Sequence, residues 1–131
     1  MTKKTILLIE EDRMVSSLIG FRLKKEGFLV QAFSNEKQAV NTAAENSFDL
    51  VVYGLSSTSF EGIQFIEKVK ATIGMSTPLI LATSNKQQLI TLNKSQLPNT
   101  TIIQKPIDLD NLLTMSTQMI AENQNSNQYL P

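Results

Sequence analysis

Five short apolar runs alternate with segments of helical period along this chain, and that alternation restricts the fold more than any other feature. Each run is four to six residues long and mostly apolar, which is typical of strands buried on both faces of a parallel sheet. The runs are Ile6–Ile9, Phe28–Phe33, Leu50–Tyr53, Leu79–Ala82 and Thr100–Ile103. Because parallel neighbours need helical crossovers, the pattern predicts an α/β fold: one five-stranded parallel sheet with helices on both faces.

The intervening segments carry the start and stop signals of amphipathic helices. The apolar residues of the first segment recur at helical spacing and are predicted to form its packed face: Met14, Val15, Leu18, Ile19 and Leu23. Candidate N-caps are Asp12, Ser34 or Asn35, and Asp108, and Gly27 and Gly74 are candidate helix stops. Segment 86–93 has only three apolar residues, so the fourth helix is predicted to be short or irregular.

The composition removes several classes of chemistry. The chain has 131 residues with no cysteine and no histidine, which excludes disulfides, thiolate or imidazole zinc sites and a Ser-His-Asp triad. A formal net charge of zero gives no electrostatic signature for nucleic acid or an anionic membrane, so neither is an expected partner.

The length indicates one domain, predicted over residues 1–121. Residues 122–131 lack periodicity and are predicted to be a disordered polar tail or a truncated linker. The first apolar run is too short for a signal peptide, and no stretch reaches the roughly 20 apolar residues of a membrane span, so a cytoplasmic location is expected.

Polar residues follow the predicted strands at the edge where their carboxyl ends meet. They are Glu10-Glu11-Asp12 after the first run, Gly54 after the third, Thr83 after the fourth and Lys105-Pro106 after the fifth. In doubly wound sheets this edge carries the functional crevice, so an acidic cluster, a hydroxyl and a lysine are predicted to lie close together.

With these residues in this order, the chain resembles the CheY-like receiver domain of bacterial two-component response regulators. The resemblance runs from about Lys3 to Ala121 and rests on ILLIEED at 6–12, LKKEGF at 23–28, DLVV at 49–52, Glu61-Gly62, PLILATS at 78–84 and KPIDLDNLL at 105–113. It implies a strand order of 2-1-3-4-5 and a role in phosphorelay signal transduction.

In receivers, a histidine kinase donates a phosphoryl group to an Asp at the end of the third strand, and that Asp helps an acidic pair to hold magnesium. The resemblance places Glu10 and Glu11 at the acidic pair, and Thr83 at the hydroxyl that senses the phosphoryl group. It places Lys105 at the lysine that contacts that group, followed by Pro106 with a cis peptide bond. The phosphoacceptor position is Gly54.

Gly54 has no side chain to attack phosphorus or to bind a metal, so we expect a degenerate receiver that acts by protein contact and is not an enzyme. No cofactor is expected, and Glu10 and Glu11 are the only candidate ligands left for Mg²⁺. Lys105 is predicted to pair with Glu11, and Thr83 to bond nearby backbone. Ile102 stands where receivers generally have Tyr or Phe, which removes one partner of the usual switch.

By family analogy, the predicted contact surface is the face of the fourth helix, fifth strand and fifth helix. Its apolar residues are Leu89, Ile90, Leu92, Leu97 and Ile107. A histidine kinase or an output domain is the expected partner, and a homodimer is left open. The alternatives are phosphorylation at Ser56, Ser57 or Asp12, or a flavodoxin-like cofactor protein or phosphatase.

Overall fold

Strands and helices alternate throughout the computed structural model, which describes residues 3–55, 60–92 and 97–128. The strands are β1 (Thr5–Glu10), β2 (Leu29–Phe33), β3 (Leu50–Gly54), β4 (Leu79–Thr83) and β5 (Thr100–Gln104). The helices are α1 (Arg13–Lys25), α2 (Glu36–Glu45), α3 (Phe60–Ile73), α4 (Lys86–Leu92) and α5 (Leu109–Gln128). The predicted alternation is therefore confirmed, and no strand end differs from its predicted bound by more than one residue.

The five strands form one parallel sheet in the order β2-β1-β3-β4-β5, as the resemblance implied. Alternate side chains of each strand enter two separate cores. Leu7 and Ile9 belong to the core with α2, α3 and α4, whereas Ile6 and Leu8 belong to the core with α1 and α5. The prediction of helices on both faces is confirmed.

The outer strand β2 departs from the predicted burial. Leu29, Gln31 and Ala32 are exposed, although the run was expected to be buried on both faces. β2 pairs only with β1 and lies at the edge of the sheet, so its side chains are less covered than those of β1, β3 and β4.

Three helices begin at the predicted caps. The Asp12 carboxylate accepts from the Met14 backbone N–H at 2.9 Å, and the Asn35 side chain accepts from the Lys37 N–H at 2.8 Å. Asp108 accepts from the Asn111 N–H at 3.1 Å. Gly27 and Gly74, with φ of 99° and 98°, adopt the left-handed conformation that ends a helix.

Helix α1 divides its predicted apolar face. Ile19 and Leu23 are buried and Val15 packs against their core, but Met14 and Leu18 are exposed. The period-based prediction is wrong for these two residues. Helical spacing groups residues on a face about 100° wide, and Met14 and Leu18 lie beyond the part that contacts the sheet.

The short α4 is confirmed, at seven residues. Its predicted apolar contact surface is not: Leu89 is fully buried, and Leu97 and Ile107 pack against the two cores. Ile90 is exposed, and the Leu92 side chain lies outside the described residues.

Helix α5 continues to Gln128, where a disordered tail was predicted from residue 122. Once nucleated, a helix gains a hydrogen bond with each added residue, and Gln118 donates to Glu122 at 3.0 Å across one turn. Residues 129–131 lie outside the described residues. None of the helices in the described ranges combines the length and hydrophobicity needed to cross a bilayer.

Candidate functional site

The carboxyl ends of β1, β3, β4 and β5 meet at one edge of the sheet, which we call the rim. Register places Glu10 beside Gly54, Gly54 beside Ala82, and Thr83 beside Gln104. The rim thus contains the strand-end residues singled out in the sequence.

Glu10 and Lys105 form an ion pair at the centre of the rim. The Lys105 Nζ donates to Glu10 Oε1 at 3.3 Å and to the Leu55 carbonyl at 3.2 Å. Glu10 is only 3% exposed. The ammonium therefore joins the end of β1, the start of the β3–α3 connection and the end of β5.

The prediction that Lys105 pairs with Glu11 is wrong, because its partner is Glu10. Glu11 is exposed and has left the strand, whereas Glu10 is the last residue of β1 and is buried in the rim. The first acid of the pair thus occupies the position beside the lysine.

Gly54 lies against the Glu10 carboxylate. A Cβ atom built on Gly54 would be 2.7 Å from Glu10 Oε1, 2.8 Å from Cδ and 3.0 Å from Oε2. Real Cβ atoms essentially never show contacts below 3.0 Å. Glu10 in its present position therefore requires glycine at residue 54.

Thr83 is buried at the end of β4, and its hydroxyl accepts from the Asn85 backbone N–H at 3.2 Å. The Thr83 carbonyl accepts from the Lys105 N–H at 2.7 Å. The Lys105-Pro106 bond is cis, as the resemblance implied.

Sequence reasoning missed Gln104 as a rim residue. Its amide accepts from the Lys86 backbone N–H at 3.0 Å and donates to the Ser84 carbonyl at 2.6 Å, which fastens the start of α4 to β5. Its place directly before Lys105 at a strand end was the available signal.

A second missed contact lies one residue before Gly54. The buried Tyr53 hydroxyl donates to Glu36 Oε1 at 2.6 Å and connects β3 to the first turn of α2. Burial raises the pKa of Tyr53 well above its usual value, and the nearby Glu36 carboxylate raises it further. This phenol remains protonated and acts as a structural donor.

Acidic ligands are sparse at the rim. Glu10 is paired with Lys105, Glu11 is exposed beyond the end of β1, Asp12 caps α1, and Gly54 contributes no oxygen from a side chain. Within residues 3–55, 60–92 and 97–128, no three acids are grouped closely enough to hold a metal ion. These residues do not fit the magnesium site that the fold family implies.

An apolar groove of about 540 Å³ adjoins the rim between α1 and the β5–α5 connection. Val15, Leu18 and Ile19 line one side, and Ile107 and Leu109 line the other. Leu18 belongs both to this groove and to the exposed side of α1.

Together, the sheet order and the rim define a receiver-type α/β domain. The response regulator receiver domain family matches residues 6–117, so the chain belongs to that family. Receiver domains of this CheY-like type serve two-component signalling and interact with kinases and output domains.

Curated relatives support the assignment. The transcriptional regulatory protein CrdR of Helicobacter pylori is 26% identical over 110 residues, which cover 84% of this chain and 52% of CrdR. The response regulator ArlR of Staphylococcus saprophyticus is 23% identical over 120 residues, which cover 92% of this chain and 53% of ArlR. The chain spans about half the length of these curated relatives.

Solved structures share the fold. A CheY-like receiver domain protein from Methanospirillum hungatei superposes with a TM-score of 0.83 at 17% identity, covering 95% of this chain and 99% of that one. The chemotaxis protein CheY4 of Vibrio cholerae superposes with a TM-score of 0.76 at 16% identity, covering 90% of this chain and 99% of that one.

Proposed function

We propose that this chain is a degenerate receiver that signals by protein contact, without phosphorylation at position 54. The observation that carries the proposal is Gly54, which brings no nucleophile to the end of β3, where a receiver accepts its phosphoryl group. The engaged Glu10 and Lys105 support it, because both would have to be released to serve a phosphoryl group or a metal.

The residues next to the site are poor substitutes for the acceptor. The Asp12 carboxylate accepts from the Met14 and Val15 backbone N–H groups and holds the start of α1. Ser56 and Ser57 lie outside the described residues. A serine acceptor would need a base to activate it, and the chain has no histidine. The family match favours a receiver over the flavodoxin-like and phosphatase alternatives.

The test is incubation of the chain with acetyl phosphate and magnesium, followed by intact-mass measurement and by amide NMR spectra. We expect no acid-labile mass gain and no shift changes at the rim, while a receiver with an aspartate acceptor, run in parallel, gains phosphate. Stoichiometric uptake by the unsubstituted chain would refute the proposal. Retention of uptake in Asp12→Asn would then exclude Asp12 as its site.

The described surface favours α1 as the contact face over the α4, β5 and α5 face. Met14, Leu18 and Phe21 are 75%, 54% and 69% exposed and follow one another at helical spacing. Isolated exposed apolar residues are ordinary, but three on one helix face beside an apolar groove are typical of an interaction site.

Charge on α1 indicates what this face contacts. The helix carries Arg13, Arg22, Lys24 and Lys25 and no acidic residue. Arg22 is paired with Asp110 of α5, which leaves three unpaired basic residues on α1 among the described contacts. A partner surface with an apolar centre and acidic flanks, on a kinase or output domain, fits best. Two copies meeting through α1 would bring like charges together.

Crosslinking tests this face. A photoreactive residue at Phe21 is expected to form adducts with a two-component partner in cells, and the same residue at the exposed Met75 is the matched control. Adducts at position 75 but not at 21 would move the contact surface away from α1.

A further inference from the structure

We propose that Glu10 is the built-in ligand of Lys105, and that its carboxylate fills the place that a side chain at residue 54 would occupy. Glu10 and Gly54 are then a compensating pair, because Glu10 keeps its position only while residue 54 has no side chain. This inference rests on the proposed function and adds what holds the rim when no phosphoryl group is present.

Strand register forces the two positions to compete. β1 and β3 are parallel neighbours, and the Glu10 and Gly54 Cα atoms are register partners. Side chains of register partners emerge on the same face of a sheet, and adjacent strands are about 4.8 Å apart. A residue 54 with a side chain would therefore project beside Glu10.

Distances show that the same volume is involved. The Glu10 carboxylate atoms lie 2.7 to 3.0 Å from the Cβ position of residue 54. The carboxylate oxygens of an aspartate lie about 2.4 Å from its own Cβ, as bond lengths require. Glu10 thus places its carboxylate at nearly the distance from β3 at which an aspartate at 54 would place its own.

The Glu10 carboxylate is not free to move aside at no cost. It is 3% exposed, and Oε1 accepts from Lys105 Nζ at 3.3 Å. The same Nζ donates to the Leu55 carbonyl, the residue after Gly54. A Cβ at residue 54 would force the Glu10 carboxylate to shift and so strain the ion pair that joins β1, β3 and β5.

Because Glu10 fills this volume, we expect that Gly54→Asp alone does not restore a phosphoryl acceptor. Gly54→Asp would put a second carboxylate into a volume already filled by the first, with one lysine for both. Glu10→Asp shortens the first side chain by one methylene, about 1.5 Å, and makes room for the second.

Urea unfolding of the parent chain and three variants tests the packing. We expect Gly54→Ala to lower the urea midpoint clearly, and Glu10→Asp combined with Gly54→Ala to recover more than half of the midpoint lost between the parent chain and Gly54→Ala. Gly20→Ala is the matched control, because Gly20 is also buried and its Cβ would meet nothing within 4 Å. A Gly54→Ala midpoint equal to that of Gly20→Ala, or no recovery in the double variant, would overturn the proposal.

Phosphate uptake gives a second measurement that survives poor folding of Gly54→Ala. With acetyl phosphate and magnesium, Glu10→Asp/Gly54→Asp is expected to take up at least tenfold more phosphate than Gly54→Asp, by intact mass. Equal uptake by both would contradict the pairing of Glu10 with position 54. Uptake by the unsubstituted chain would instead refute the proposed function, so the two failures are distinguishable.

Discussion

Two lysines lie at opposite ends of the sheet, one partly exposed and one fully buried, and their surroundings differ. Lys105 follows β5 at the rim and is paired with the Glu10 carboxylate. Lys70, in α3, is fully buried and donates to the Thr77 carbonyl shortly before β4 begins. Neither of the ion pairs among the described residues includes Lys70. One lysine thus has a charged partner and the other has only a backbone dipole.

The difference separates a lysine that holds a site together from one that only fills a core. Burial lowers the pKa of Lys70 to about 8, because its charge is separated from water without a compensating carboxylate. Lys105 has a carboxylate, a carbonyl and partial access to solvent. The same substitution should therefore have opposite effects on stability at the two ends.

The largest effect is expected for Lys105→Met. Removal of the ammonium leaves the Glu10 carboxylate buried without a cation, which should lower the free energy of unfolding by about 3 kcal/mol. This is the low end for a broken buried pair, because the Lys105 side chain is 24% exposed. Urea unfolding at pH 7 measures it. The double variant Lys105→Met/Glu10→Gln should regain part of the loss, and no regain would show that the pair is not the cause.

The pH dependence of the free energy of unfolding should reveal the lowered pKa of Lys70. Its pKa is about 8 in the folded chain and near 10.5 when unfolded, so between these values the unfolded state binds more protons. The free energy of unfolding should rise with pH in this window, by about 2 kcal/mol between pH 7 and pH 10. Above pH 10 the raised pKa of Tyr53 acts in the opposite direction, because the unfolded phenol ionises first.

The control for this profile is Lys70→Met. Urea unfolding from pH 7 to pH 10 should show the rise in the parent chain and a much smaller one in the variant. Identical profiles would mean that Lys70 keeps its ordinary pKa in the folded chain.

At pH 7, Lys70→Met should itself stabilise the chain, by about 1 to 2 kcal/mol. Burial of the charged lysine destabilises the folded chain by about 3 kcal/mol, as its lowered pKa indicates. The methionine variant avoids that cost but loses the hydrogen bond to the Thr77 carbonyl, which offsets part of the gain. A methionine of similar length can fill the same space. A loss of stability in this variant would show that the hydrogen bond to Thr77 outweighs the burial of the charge.

The sequence predicted the fold more completely than it predicted the side-chain contacts at the rim. Period and run length predict elements because buried strands and amphipathic helices impose them, and the strand ends gave Glu10, Thr83 and Lys105 their common edge. The pairing of Lys105 with Glu10 in place of Glu11 depends on which residue is last in β1, and spacing does not resolve that. The exposure of Met14 and Leu18 depends on how far α1 rotates over the sheet.

Lys70 shows another limit of sequence reasoning. Its helix has a regular apolar period, and Lys70 follows the buried Val69 as an ordinary solvated charge would. Only the turn that follows α3 brings the Thr77 carbonyl beside its ammonium. A charge in a sequence therefore does not indicate whether its partner is water, a carboxylate or a backbone group.

The smallest effect is expected for Lys105→Arg, which keeps the charge at the rim. A guanidinium can still donate to Glu10 and to the Leu55 carbonyl, and the partial exposure of the site gives room for the larger group. The loss should be within about 1 kcal/mol in urea unfolding. Lys70→Arg is the matched control, because the larger guanidinium would have to fit into a fully buried position and should cost more than Lys105→Arg. If the two arginine variants lost equal stability, the contrast between a paired and an unpaired lysine would fail.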